Sequence, residues 1–151
     1  MPDLSKLKHI WSVVCNSSSI DQETNNFSLY NVIEQLEIKV KPGGIPKNED
    51  SAVVGITLEL ITLWKKEAAG ESLDVEQRTE WVDPAGKVLL SSVGGFKIGK
   101  VIDRARFRFQ ANGLKVTVPG YYYFRVAARY ATDTDFIIVA ETPVQVNILE
   151  G

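Results

Sequence analysis

Apolar and polar positions alternate along most of this chain with a period of two. Leu73, Val75, Gln77, Thr79 and Trp81 fall on one side of such a pattern, and Asp74, Glu76, Arg78 and Glu80 on the other. Ala105, Phe107 and Phe109 alternate with Arg104, Arg106, Arg108 and Gln110, and Leu114, Val116 and Val118 with Lys115 and Thr117. Tyr122, Phe124, Val126 and Ala128 alternate with Tyr121, Tyr123, Arg125 and Arg129. A strand sends successive side chains to opposite faces, so each run predicts a half-buried strand. The β-branched and aromatic content agrees. Further strands are predicted at His9–Asn16, Leu29–Val40, Ala52–Trp64, Val88–Ser92 and Phe136–Ile148. Within Asn31–Lys39, Val32, Ile33 and Leu36 would also suit one face of a helix. The segment runs straight into the alternating Glu37–Val40, which decides for strand.

The punctuation between these runs is that of an all-β chain. Asp83–Pro84–Ala85–Gly86 reads as a four-residue turn, with Pro pre-setting the second position. Asn112–Gly113, between two alternating runs, predicts a tight hairpin. Asp21–Asn26 reads as a polar loop and Pro42–Ser51 as the longest stretch without structure. Pro143, which cannot donate to a ladder, marks its strand as an edge or a bulge. Eight or so short strands with regular turns and no amphipathic helix predict a two-sheet antiparallel β-sandwich, residues 1–151 forming one domain.

Charge and composition narrow the function classes. The formal net charge is -2, from 17 basic and 19 acidic residues, so the basic excess of a dedicated nucleic-acid binder is missing. The apolar run Ile10–Cys15 is too short for a signal-peptide core or a membrane span, which makes the cytoplasm the expected location. Cys15 is the one cysteine, so no intrachain disulfide forms.

Two stretches carry a resemblance. Val118–Pro119–Gly120–Tyr121–Tyr122–Tyr123–Phe124–Arg125–Val126 resembles the corner before the penultimate strand of immunoglobulin-like and fibronectin-type sandwiches, where a corner tyrosine bonds back to the backbone. Tyr122 would be that tyrosine. The stretch from Cys15 to Glu34, with Asp21, Thr24 and Asn25 ahead of Ser28–Leu29, resembles the opening of a family of small uncharacterised bacterial β-sandwich proteins. The resemblance implies an immunoglobulin-like or C2-like sandwich and no known activity.

Candidate chemistry thins out on inspection. Gly94–Gly95–Phe96–Lys97–Ile98–Gly99–Lys100 matches the spacing of a phosphate loop, but Val101 stands where Ser or Thr must hold magnesium. No helix follows whose amides would face the phosphates, so the stretch reads as a glycine-rich loop. His9 and Cys15 share one face of the first predicted strand but lie about 20 Å apart along it, too far for a dyad. Ser17, Ser18 and Ser19 lack the turn of a hydrolase nucleophile. Asp21, Asp83, Asp103, Asp133 and Asp135 sit at strand ends, where loop aspartates gather calcium in C2-type sandwiches and where Asp also serves as a plain turn former. Trp11, Trp64 and Trp81 would suit either core or sugar stacking.

The outward faces of two strands stand out. One carries Arg104, Arg106 and Arg108; the other carries Tyr121, Tyr123, Arg125 and Arg129. Tyr and Arg are residues that interfaces favour. If the strands are neighbours they make one basic-aromatic patch; in immunoglobulin topology they lie on opposite sheets. The competing reading is a solvated face whose arginines pair with acids on adjacent strands. The expectation is a non-enzymatic module without cofactor that binds a protein partner or a second copy of itself, with no membrane or nucleic acid involved. The alternative is a small-ligand module for sugar or calcium-dependent contacts.

Overall fold

Nine strands follow one another through residues 4–40 and 52–150, the part of the chain that the computed structural model describes. The loop expected at Pro42–Ser51 lies outside these residues. In chain order the strands are β1 (Leu7–Ile20), β2 (Phe27–Val32), β3 (Gln35–Val40), β4 (Ala52–Lys66), β5 (Leu73–Val82), β6 (Val88–Ile98), β7 (Arg104–Val116), β8 (Gly120–Tyr130) and β9 (Ile137–Glu150). They make two sheets, one of four strands ordered β2-β1-β4-β7 and one of five ordered β3-β9-β8-β5-β6. The alternation sets the burial. Val14, Leu58, Leu60 and Trp64 of the first sheet belong to one buried cluster with Trp81, Tyr122, Phe124 and Val144 of the second. Trp81 stacks on Tyr122 at 4.9 Å, and Phe109 meets Phe124 edge-on at 6.3 Å from the other sheet.

The two corners read from sequence are present. Asp83 Oδ1 accepts from the amides of Ala85 (3.0 Å) and Lys87 (2.8 Å), and Gly86 takes the left-handed conformation at φ 89°. The Tyr122 hydroxyl accepts from the Thr117 amide (2.8 Å) and donates to the Val118 carbonyl (2.6 Å), tying β8 back to the end of β7.

Four expectations need correction. The predicted strand Leu29–Val40 is two strands in different sheets. Ile33, buried against the core, donates its amide to Val14 O (2.8 Å) in the first sheet, and Glu34 O accepts from the Gln145 amide (3.0 Å) in the second. The chain steps across in those two residues and arrives alongside β9 in parallel, so the five-stranded sheet is mixed rather than antiparallel. Second, Asn112–Gly113 is no hairpin: β7 runs straight through it. Gly113 keeps the positive φ (96°) that the pair favours, but spends it on an irregularity opposite Gly55 and Ile56 of β4. Third, Gly94 and Gly95 lie inside β6 rather than in a loop. A Cβ on Gly94 would stand 2.6 Å from the Phe107 ring of β7, which occupies that space. Fourth, a bulge in β1 between His9 and Trp11 turns His9 inward onto Trp64 (5.5 Å, edge-on). Cys15 follows the core residue Val14 in the strand and so faces the other way, leaving His9 and Cys15 on opposite faces.

Candidate functional site

The strand order decides what each predicted site residue can do. β7, with Arg104, Arg106 and Arg108, is in the four-stranded sheet; β8, with Tyr121, Tyr123, Arg125 and Arg129, is in the five-stranded one. The seven residues are therefore split between two outer faces and never form one patch.

On the five-stranded sheet the arginines are neutralised. Arg129 Nε stands 3.0 Å from Glu76 Oε1, and Arg125 lies between Glu80 (3.7 Å) and Glu141 (3.8 Å). Arg78 of β5 joins the same row through Glu80 at 3.6 Å. Phe136 lies under two guanidinium groups, 4.1 Å from Arg129 and 4.8 Å from Arg78. Tyr121 is half exposed beside a concavity of about 1080 Å³ whose lining includes Asn16, Asn31, Gln35 and Gln145.

The four-stranded sheet is the opposite. Its strands carry seven basic residues, Lys8, Lys65, Lys66, Arg104, Arg106, Arg108 and Lys115, and one acid, Glu59. Register lays out the outer face in rows: Trp11, Leu63 and Arg106; Val13, Ile61 and Arg108; and, at one end, Lys65 directly opposite Arg104. Glu59 is 3% exposed and already engaged, accepting from Ser18 Oγ (2.8 Å) with Arg108 Nη1 at 3.7 Å. Arg106 is held rather than free. Its Nη1 and Nη2 donate to Asn25 O (2.9 Å) and Asn25 Oδ1 (3.0 Å), and its plane lies 4.0 Å from the centre of the Phe27 ring. That clamp holds Asn25 at φ 60°, a left-handed conformation that non-glycine residues rarely take. Burial, and then the neighbouring Arg104, push the Arg106 pKa down from its ordinary value. A guanidinium remains charged all the same, and its partners here, Asn25 and Phe27, bring Arg106 no counter-charge. The Arg104 side chain makes no ion pair or hydrogen bond among the described residues. Between Trp11, Leu63, Phe27 and the two arginines lies a cleft of about 380 Å³.

The remaining candidates are occupied by structural roles. Asp21 Oδ1 accepts from the amides of Glu23 (2.8 Å) and Thr24 (2.9 Å), which holds its carboxyl below the usual range. Among the described residues no three His, Cys, Asp or Glu side chains stand close enough to share a metal ion. Burial, and then Glu59, push the Cys15 thiol up, away from the reactive thiolate. Trp64 and Trp81 are fully buried, with Nε1 groups donating to Gln77 Oε1 and Lys115 O (both 2.9 Å). His9 ends a polar chain through the core. Its Nε2 lies 2.8 Å from Ser12 Oγ, which lies 3.1 Å from Thr62 Oγ1, to which Gln77 Nε2 donates at 3.4 Å. Burial lowers the His9 pKa.

Trp11, Phe27, Asn25 and Lys65 belong to the cationic face; sequence raised Trp11 only as a core or sugar-stacking residue and Asn25 only as part of a loop, and it pointed to neither Phe27 nor Lys65. Each lies on a different element from the arginines, and only the pairing of β1, β2 and β4 with one another and with β7 brings them there. No family model matches this sequence, and no curated protein resembles it. No helix among the described residues is long and apolar enough to cross a membrane.

Proposed function

We propose that this chain is a non-enzymatic interaction module that engages a protein partner, or a second copy of itself, through the outer face of its four-stranded sheet. One observation carries this reading: cations gathered over an apolar floor, with a single buried carboxylate among them. Unpaired like charges on adjacent strands cost stability in the free protein, and a feature kept at such a cost is best understood by what it meets. The architecture behind it is a two-sheet sandwich of the immunoglobulin-like class. The order β9-β8-β5-β6 parallels the last, penultimate and central strands of that class with one variable-type addition, and Trp81 and Tyr122 parallel its core tryptophan and corner tyrosine. Membership of the small bacterial β-sandwich family and a cytoplasmic location belong to the same proposal.

The test places a photo-crosslinking residue at position 104 and, separately, at position 125, in protein also run in the ultracentrifuge. The reading expects partner adducts or self-association through position 104 and none through 125. A protein that stays monomeric at all concentrations and crosslinks equally from both faces would overturn it.

A second reading, a sugar-binding module, draws on the 1080 Å³ concavity with its amide side chains and Tyr121. Tyrosine and tryptophan fluorescence unmoved across a glycan panel, with and without calcium, removes it.

A further inference from the structure

We infer that the cationic face takes an acidic extended segment carrying one apolar side chain, which enters the cleft beside Trp11 while the flanking carboxylates meet Arg104 and Lys65. The inference rests on the reading of this face as the interaction surface and names the chemistry of the partner.

Three observations fix that chemistry. Lys65 and Arg104 stand directly opposite one another on β4 and β7, two like charges in one cross-strand pair. Lys65 has only the exposed Glu67 carboxylate at 3.5 Å, a pair of the kind that contributes little, and Arg104 has no partner among the described residues. A carboxylate placed between the two cations relieves their repulsion. One row away, half-buried Trp11 lies opposite Leu63, and with Phe27 they line a cleft of about 380 Å³, ample room for one apolar side chain. Between these two features stands Arg106, whose terminal nitrogens each donate to Asn25 and whose plane rests on Phe27. Arg106 is therefore a positioning residue that shapes the wall, and the donors left for a ligand are those of Arg104 and Lys65. Apolar anchor and carboxylates thus have to sit within a residue or two of each other in the partner. A nucleic acid fits less well: a run of phosphates needs a line of free cations, and Arg106 and Arg108 are engaged with Asn25 and Glu59.

The experiment titrates the whole protein, labelled with nitrogen-15, with the blocked pentapeptide DEFED. Its controls are the uncharged NQFQN, the anchorless DEAED, inorganic phosphate and a ten-residue oligothymidylate. Trp11 is the reporter, because the indoles of Trp64 and Trp81 are buried and hydrogen-bonded and serve as internal references for an intact fold. The expected result is a saturable shift of the Trp11 indole signal with DEFED and binding at least ten-fold weaker for both control peptides. Arg104→Glu lowers DEFED affinity at least ten-fold, and Lys97→Glu, at an exposed position on the other sheet, leaves it unchanged. An unmoved Trp11 signal, DEAED binding as tightly as DEFED, tighter binding of phosphate or the oligothymidylate, or equal losses from the two substitutions overturns the inference. If DEFED fails while crosslinks still form through position 104, the partner chemistry falls and the interaction surface stands.

Discussion

The arginine rows of β7 and β8 look alike in sequence and behave differently in the fold. On β8, Arg125 and Arg129 face β5 and β9, which supply Glu76, Glu80 and Glu141 at register positions directly across. On β7, Arg104 and Arg106 face Lys65 and Leu63 of β4. A strand's own alternation says which residues point outward. Whether an outward charge is neutralised is written in its neighbour, and the neighbour is set by topology. On one sheet both outward arginines of β8 have carboxylates across from them; on the other only Arg108 has one, the buried Glu59, and Arg104 has none among the described residues.

The contrast can be broken from either side. The largest effect is expected at Glu80, which is 9% exposed and lies beside both Arg78 and Arg125. Glu80→Ala leaves half-buried Arg78 without its carboxylate and Arg125 with Glu141 alone, and urea unfolding is expected to show a loss of about 2–3 kcal/mol, below that of a fully buried pair because both guanidinium groups keep contact with solvent. Arg106→Ala removes the Asn25 clamp and the stack on Phe27. It should cost about 1 kcal/mol, and limited proteolysis should now cut within Asp21–Asn26. Arg104→Glu should do the reverse of Glu80→Ala and raise stability by roughly 0.3–0.5 kcal/mol, because it turns a like-charge pair with Lys65 into an opposite one. A loss there would mean that the open face is open only in appearance.

The smallest effect separates both faces from the core behind them. Burial favours neutral His9, so its folded-state pKa lies below the unfolded value of about 6.5. The unfolded chain takes up the proton first. His9 thus adds stability that is fully present above about pH 6.5 and is lost as the pH falls through the lower folded-state value. Unfolding followed from pH 7.5 to 5 should show a shallower decline in His9→Gln than in the wild type, and identical slopes would remove His9 from the account.

Much of the fold was legible in advance, and for local reasons. Strand was read in all nine regions, though β2 and β3 were merged into one and β7 was divided in two; Asp83–Gly86 and Tyr122 fixed two corners, and Pro143 marked β9, whose residues ahead of Gln145 have no described partner on the side away from β8 in the register. What failed shares one cause. The Ile33–Glu34 crossing, the straight passage through Asn112–Gly113 and the glycines of β6 are each decided by a residue distant in sequence: Val14 and Gln145, Gly55 and Ile56, and Phe107. The grouping of the site residues was hidden for the same reason. Its seven named residues were read as a pair of rows whose adjacency was left open, and the members that distinguish one row from the other lie on β1, β2 and β4.

The parallel edge pair has a consequence for how the chain is made. β3 has one hydrogen-bonding partner, β9, and the two lie near opposite ends of the described sequence. During synthesis β3 waits, its hydrogen-bonding edge unsatisfied, until the five strands between it and β9, and then β9 itself, have been made. Ile33 beside it bonds to Val14 of β1, which precedes it in the chain, so that side of the step needs nothing from the second sheet. Completion of the fold is thus a late, long-range event, slow in the manner of topologies dominated by distant contacts. The nascent chain carries an exposed strand edge for as long as β4 to β9 take to be made, which is the interval in which a holding chaperone has most to protect.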